Sequence, residues 1–198
     1  MQSALISLLA GRRGHFRLES GFHGEQWYDL DRLLADRATL CPFAVELARR
    51  LAAHRPDAVC GPETGGAQLA ALIAAELGRP VFRTERFAPP ESTALFSVRY
   101  TVPAADRAAL RGRRLALVDD AISAGSAVRG SLADLLACGA QPVALGALFV
   151  FGERAAAFAR EHALPLEVIA PMPSSLWPPD RCPLCHAGVP LESLPVSV

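Results

Sequence analysis

Two hydrophobic periods alternate along this chain, and the switches between them mark out its elements. Over residues 36–54, Leu40, Phe43, Leu47 and Leu51 recur every three or four positions, the spacing of one helical face. Asp36 stands where such a helix needs a cap. "DAVCG" (57–61) is a short apolar strand, and "GGAQLAALIAAELG" (65–78) is a helix closed by Gly78. "PVFRTE" (80–85) predicts the next strand. A proline-bearing, polar stretch then reads as a long loop before a strand near 97–102. The alternation resumes with a strand over 113–120, a helix over 126–139 ending at Gly139, and a buried strand over 141–152. A helix over 153–163 and a final strand over 165–170 complete it. Strands alternating with helices predict an α/β fold, with a mostly parallel twisted sheet covered by helices on both faces. Residues 1–35 stand outside this rhythm and predict a separate flap. Residues 36–170 form the predicted core, and 171–198 a Pro-rich tail packed on it.

Composition narrows the chemistry. The chain has 198 residues, 51% hydrophobic and 20% charged, which suits one globular domain with a small appendage. A net charge of +0 argues against broad binding of nucleic acid or an anionic membrane. All 20 cationic residues are arginine. Schiff-base lysine chemistry and a Walker A phosphate loop are therefore excluded, and phosphate charge must be met by arginine, backbone amides or metal. No segment approaches the roughly 18 uninterrupted apolar residues of a membrane span. The first residues, "MQSALISLLAGRRGHF", carry their arginines after the apolar stretch, which is the wrong order for a signal peptide. With five cysteines, an odd number, reduced thiols and a cytoplasmic location are expected.

The strand 113–120 ends in two adjacent acids, Asp119 and Asp120, followed by the small-residue segment "AISAGSA" and a helix. Ligands of open parallel sheets sit beyond the carboxyl ends of strands, and a helix N-terminus favours an anion. Carboxylates that accept hydroxyl hydrogen bonds beside a phosphate-binding turn describe a ribose 5-phosphate site. A Mg²⁺-binding pair and an ordinary capped strand end are the competing readings.

"LALVDDAISAGSA" resembles the phosphoribosyl pyrophosphate signature of type I phosphoribosyltransferases. The resemblance implies that Asp119 and Asp120 hold the ribose hydroxyls and that Ala121, Ile122, Ser123, Ala124, Gly125, Ser126 and Ala127 wrap the 5-phosphate. Upstream, "GPETGG" (61–66) is similar to the family's pyrophosphate loop; Gly65 and Gly66 allow close approach, and Thr64 and the amides can donate to a diphosphate. "FRLESGFHGEQWYDLDRLLAD" (16–36) is similar to the hood of the orotate branch, with Ser20, Gly21, Trp27 and Asp29 falling into its pattern. Base contacts are expected from Ser20, Gly21 and Trp27, and His23 joins them as a candidate, with Arg17, to offset Glu19. The resemblance further implies Mg²⁺, a nucleobase co-substrate, pyrophosphate release and a homodimer. In the place of a family loop that carries lysines and a histidine stands "RTERFAPPESTALFSVRY". Arg83 and Arg86 are its candidates for the pyrophosphate, Arg99 is a poorer third, and the 86–99 segment would serve as a lid. With Asp119 and Asp120, Arg86 completes the candidate catalytic set. Glu19 stands where a carboxylate would repel an anionic base. Orotate is the first expectation; a neutral-base salvage enzyme and a non-catalytic phosphoribosyl pyrophosphate-binding regulator are the alternatives.

"CPLCH" fits a haem-attachment motif literally, but that chemistry needs an export route. As zinc ligands, Cys182, Cys185 and His186 leave a fourth position open, so reduced cysteines in a packed tail are the simpler expectation. Cys41, Cys60 and Cys138 read as small core residues, and Trp177 as an anchor for the tail.

Overall fold

The computed structural model describes residues 1–63, 65–88 and 94–192. Its elements in chain order are α1 (Gln2–Ile6), β1 (Ala10–Arg17), β2 (His23–Asp29), α2 (Asp31–Ala35), α3 (Arg37–Ala52), β3 (Ala58–Pro62), α4 (Gly65–Leu77), β4 (Val81–Phe87) and β5 (Arg99–Thr101). There follow α5 (Arg107–Leu110), β6 (Arg114–Ile122), α6 (Ser126–Ala137), β7 (Gln141–Phe151), α7 (Arg154–Glu161), β8 (Leu166–Met172), β9 (Leu176–Trp177) and α8 (Pro183–His186).

Among the described residues, the larger sheet has the order β5-β4-β3-β6-β7-β8, parallel throughout except for the antiparallel edge strand β5. Its central strands are apolar because both faces are covered. In β6, Ala116 and Val118 enter the core beneath α3 and α4, while Leu115 and Leu117 enter the core beneath α6 and α7. Asp36 caps α3 by accepting from the amides of Ala38 and Thr39. Gly78 and Gly139 end α4 and α6 with positive φ, where an L side chain is strained. A buried hydrogen bond of 2.6 Å between the Thr84 and Ser131 hydroxyls ties β4 to α6.

The predicted elements are present with ends moved by a few residues. The expected 86–99 segment starts within β4, which continues to Phe87, and reaches β5 at Arg99. Its residues 89–93 lie outside the described residues, and Phe96 docks by donating its amide to the Ser20 carbonyl at 2.9 Å. Cys60 and Cys138 are buried, but Cys41 is exposed, because the inner face of α3 is used by Leu40, Phe43, Ala44 and Leu47. The first 35 residues place β1 and β2 in a second, antiparallel sheet. The tail supplies its third strand, β9, through Trp177 opposite His23. An irregularity between Arg13 and Phe16 breaks the alternation of β1, so the sequence neighbours His15 and Phe16 are both buried.

The β3–α4 turn leaves no spare volume. A Cβ on Gly61 would overlap the Gly66 carbonyl, a backbone group that cannot swing aside. Gly61→Ala is expected to destabilise the fold by about 1–3 kcal/mol, the cost of overpacking. Urea unfolding followed by circular dichroism measures it.

Candidate active site

The site is assembled at the carboxyl end of the sheet, where β6 delivers its acids. Asp119 is 4% exposed, and its Oδ1 accepts the Asp120 amide at 3.1 Å. Burial pushes the Asp119 carboxyl well above its usual range, and the neighbouring Asp120 charge adds to the rise. Burial also raises Asp120. Two acids packed this way form a site that gains from hydroxyl donors or a cation.

Past the acids, the chain turns through Gly125, whose φ of 87° is readily adopted by glycine, and enters α6. Ala121, Ser123, Ala124, Gly125, Ser126 and Ala127 line a cavity of about 320 Å³ together with Glu19, Ser20, Trp27, Tyr100 and both acids. Ile122 is placed differently: its side chain is buried in the core against α6, so it lines no part of this cavity.

A second cavity of about 740 Å³ lies on the other side of Asp120 and shares Trp27, Leu30 and Asp120 with the first. Glu63, Gly65, Gln68 and Arg86 line it. The two small-residue turns converge here. A Cβ on Gly65 would strike the Asp120 carboxylate, and one on Gly66 would come within 2.7 Å of Asp119 Oδ1. Glycine is thus required at both positions for the start of α4 to lie against the acids. Thr64 lies outside the described residues.

The arginines divide. Arg83 faces Glu63 (3.8 Å) and Glu85 (3.4 Å) and lines neither cavity. Arg86 reaches the cleft, where its Nε donates to Glu19 at 2.6 Å. The Tyr100 hydroxyl donates to the other Glu19 oxygen at 2.9 Å, and burial raises the Tyr100 pKa. Glu19 therefore does not present a bare negative charge to the smaller cavity. Arg99 lies on the edge strand β5.

Of the expected base contacts, Ser20 and Trp27 line the smaller cavity. Gly21 instead packs on Ala94 and Leu95, and His23 faces His15 and Cys185 in the second sheet. Tyr100, Leu18 and Leu30 are lining residues that the motifs did not mark. Nor did they mark the stack closing the flap on the core: Arg154 lies 4.1 Å from the Phe22 ring, Phe22 5.7 Å from Phe96, and Arg129 5.3 Å from Phe96.

A parallel sheet with a buried acid and its half-buried neighbour between two glycine-shaped turns defines a protein that binds phosphorylated sugars. Residues 40–175 match the phosphoribosyl transferase domain, and the chain belongs to that family. Its activity is transfer of the 5-phosphoribosyl group from phosphoribosyl pyrophosphate to a nucleobase. The chain is 29% identical over 185 residues to the orotate phosphoribosyltransferase of Heliobacterium modesticaldum, covering 89% of this chain and 86% of that protein. It is 27% identical to that of Thermus thermophilus over 91% of this chain and 92% of the relative. Among solved structures, the orotate phosphoribosyltransferase of Aeropyrum pernix superposes with a TM-score of 0.62 at 26% identity, covering 86% of this chain and 93% of that one. An adenine phosphoribosyltransferase from Trypanosoma brucei shares the fold, with a TM-score of 0.66 at 14% identity over 85% of this chain and 78% of its own.

The raised Asp119 carboxyl has a consequence for stability. With a folded pKa above the unfolded one, ionisation opposes folding, and stability falls as pH rises from the unfolded pKa through the folded one. Asp119→Asn removes that penalty. Free of ligand, the variant is expected to melt higher than the native chain at neutral pH, the difference shrinking toward zero in acid. Melting curves of both proteins across pH test this.

Proposed function

We propose that the base is orotate and that phosphoribosyl pyrophosphate lies across Asp120, with its 5-phosphate in the Ala121–Ala127 turn and its diphosphate toward Gly65, Gly66 and Arg86. The observation carrying this reading is the meeting of the two turns on the acid pair. A sugar with phosphates at both ends needs two anion-accepting turns with hydroxyl acceptors between them.

In this reading Asp119 and Asp120 accept hydrogen bonds from the ribose 2- and 3-hydroxyls, which fixes the ring. The amides of the 121–127 turn and the start of α6 donate to the 5-phosphate. A nucleobase nitrogen attacks ribose C1 as the C1–oxygen bond to diphosphate breaks, and the electron pair leaves with diphosphate. The carboxylates offset positive charge that develops on the ring. The donor set fits Mg²⁺: two adjacent oxygen ligands whose mutual repulsion a divalent cation relieves, beside an oxygen-rich substrate. Asp119 and Asp120 would hold the ion, which would supply charge neutralisation for the diphosphate. Arg86 adds a permanent cation but, with a pKa raised further by Glu19, donates no proton. Diphosphate therefore leaves as the anion.

Orotate is favoured because the relatives that match along most of the chain bear that activity in their names, and because Arg86 and Tyr100 screen Glu19. The 86–99 segment acts as a lid in this reading, and the chain works as a homodimer in the cytoplasm.

Pyrophosphate release measured in parallel with orotate, uracil and several purines tests the reading. Orotate is expected to give the largest kcat/KM. Binding without release for any base would leave a non-catalytic phosphoribosyl pyrophosphate-binding protein, and preference for a neutral base would assign salvage. Asp120→Asn is expected to weaken phosphoribosyl pyrophosphate at least about tenfold, the loss of one charged hydrogen bond, as read by calorimetry.

A further inference from the structure

The C-terminal "CPLCH" segment and two histidines of the β1–β2 sheet meet at a point the reaction does not use. Cys182 caps α8 and is fully buried, and Cys185 follows one turn later, so both sulfurs lie on the same side of the turn. The β1 irregularity turns His15 inward to 1% exposure, and His23, first in β2, is 4% exposed. His15 Nε2 lies 3.1 Å from His23 Nδ1, 3.4 Å from Cys182 Sγ and 3.7 Å from Cys185 Sγ. Cys185 Sγ lies 3.2 Å from His23 Nδ1, and all four atoms fall within 4.8 Å of one another.

We propose that His15, His23, Cys182 and Cys185 form a structural zinc site that fastens the C-terminal segment to the β1–β2 sheet.

Hydrogen bonding alone does not account for the cluster. A carbonyl only accepts, so the 2.7 Å contact from His15 Nδ1 to the Val189 carbonyl places the proton on Nδ1. In the neutral ring Nε2 then carries one lone pair, yet it faces three partners at once. A cation at the centre satisfies all four atoms together. Zinc–nitrogen bonds of about 2.0–2.1 Å and zinc–sulfur bonds of about 2.3 Å, arranged tetrahedrally, separate ligand atoms by about 3.3–3.8 Å, close to the spacings seen. The Nδ1–carbonyl contact is the outer-sphere bond that orients a ligating imidazole. Two thiolates balance the charge of Zn²⁺, so the centre, buried except on the side of the exposed Cys185, is neutral overall, and two thiol protons leave to solvent on binding. Soft sulfur with imidazole selects zinc over the hard cations, and four protein ligands leave no open position for catalysis. His186, the third candidate ligand in the zinc reading of the tail, is exposed and outside the cluster, and the histidines that face the cysteines stand far earlier in the chain, on β1 and β2.

Elemental analysis of the full chain, purified under reducing conditions without chelator, tests the site directly. One zinc per chain is expected. After exchange for Co²⁺, the native chain is expected to show the intense visible bands of a tetrahedral ion with thiolate charge transfer, a readout independent of how any variant folds. Cys182→Ser/Cys185→Ser should lose the metal, and His186→Ala should keep it. A strong chelator should lower the melting temperature of the native chain and leave the double variant unmoved. A native chain that purifies free of zinc and gives no tetrahedral cobalt spectrum on titration overturns the proposal, as does loss of metal from His186→Ala.

Discussion

Two carboxylates held side by side at the buried end of a parallel strand are the constraint around which the rest is arranged. Asp119 has almost no contact with water and Asp120 adjoins it, so the free protein holds charge where charge is costly. The two turns that border the pair are built from small residues. Gly65 and Gly66 bring backbone against the acids, and the 121–127 turn offers amides and hydroxyls. In the proposed reading, hydroxyl donors of the substrate replace that mutual repulsion with hydrogen bonds, so an energetic defect of the empty fold becomes affinity for one shape of ligand.

A second balance surrounds the first. With no lysine in the chain, each cation is a guanidinium, and the structure spends most of those near the cleft on carboxylates or aromatic faces. Arg86 meets Glu19, Arg83 meets Glu63 and Glu85, and Arg154 and Arg129 meet Phe22 and Phe96. Two of these contacts, Arg86 with Glu19 and Arg154 with Phe22, also join the flap to the core.

The core architecture was legible because its signals are local. Apolar runs, glycine stops and the Asp36 cap each act within a few residues, and the acid pair and the Gly-Gly turn sit where a parallel sheet concentrates ligands. The parts not legible depend on geometry that periodicity does not encode. The bulge in β1 re-aims His15, and nothing in the alternation marks it. His23 is near Glu19 in sequence, which suggests a base contact, yet the strand presents it to the tail. Ile122 belongs to the phosphate-turn motif but faces inward, since the turn still borders the core. Pairing between Glu19 and Arg86 spans 67 positions, a relation that no window along the chain reveals.

The sheet formed by β1, β2 and β9 draws strands from near both ends of the chain. Synthesis on the ribosome delivers the hairpin of residues 10–29 first and its closing strand more than 140 residues later. During that interval the hairpin is a two-stranded ribbon with one unpaired edge, too small to persist alone in water. The sheet next to Ser20 and Trp27, which line the smaller cavity, is therefore completed only after residues 176–177 have emerged.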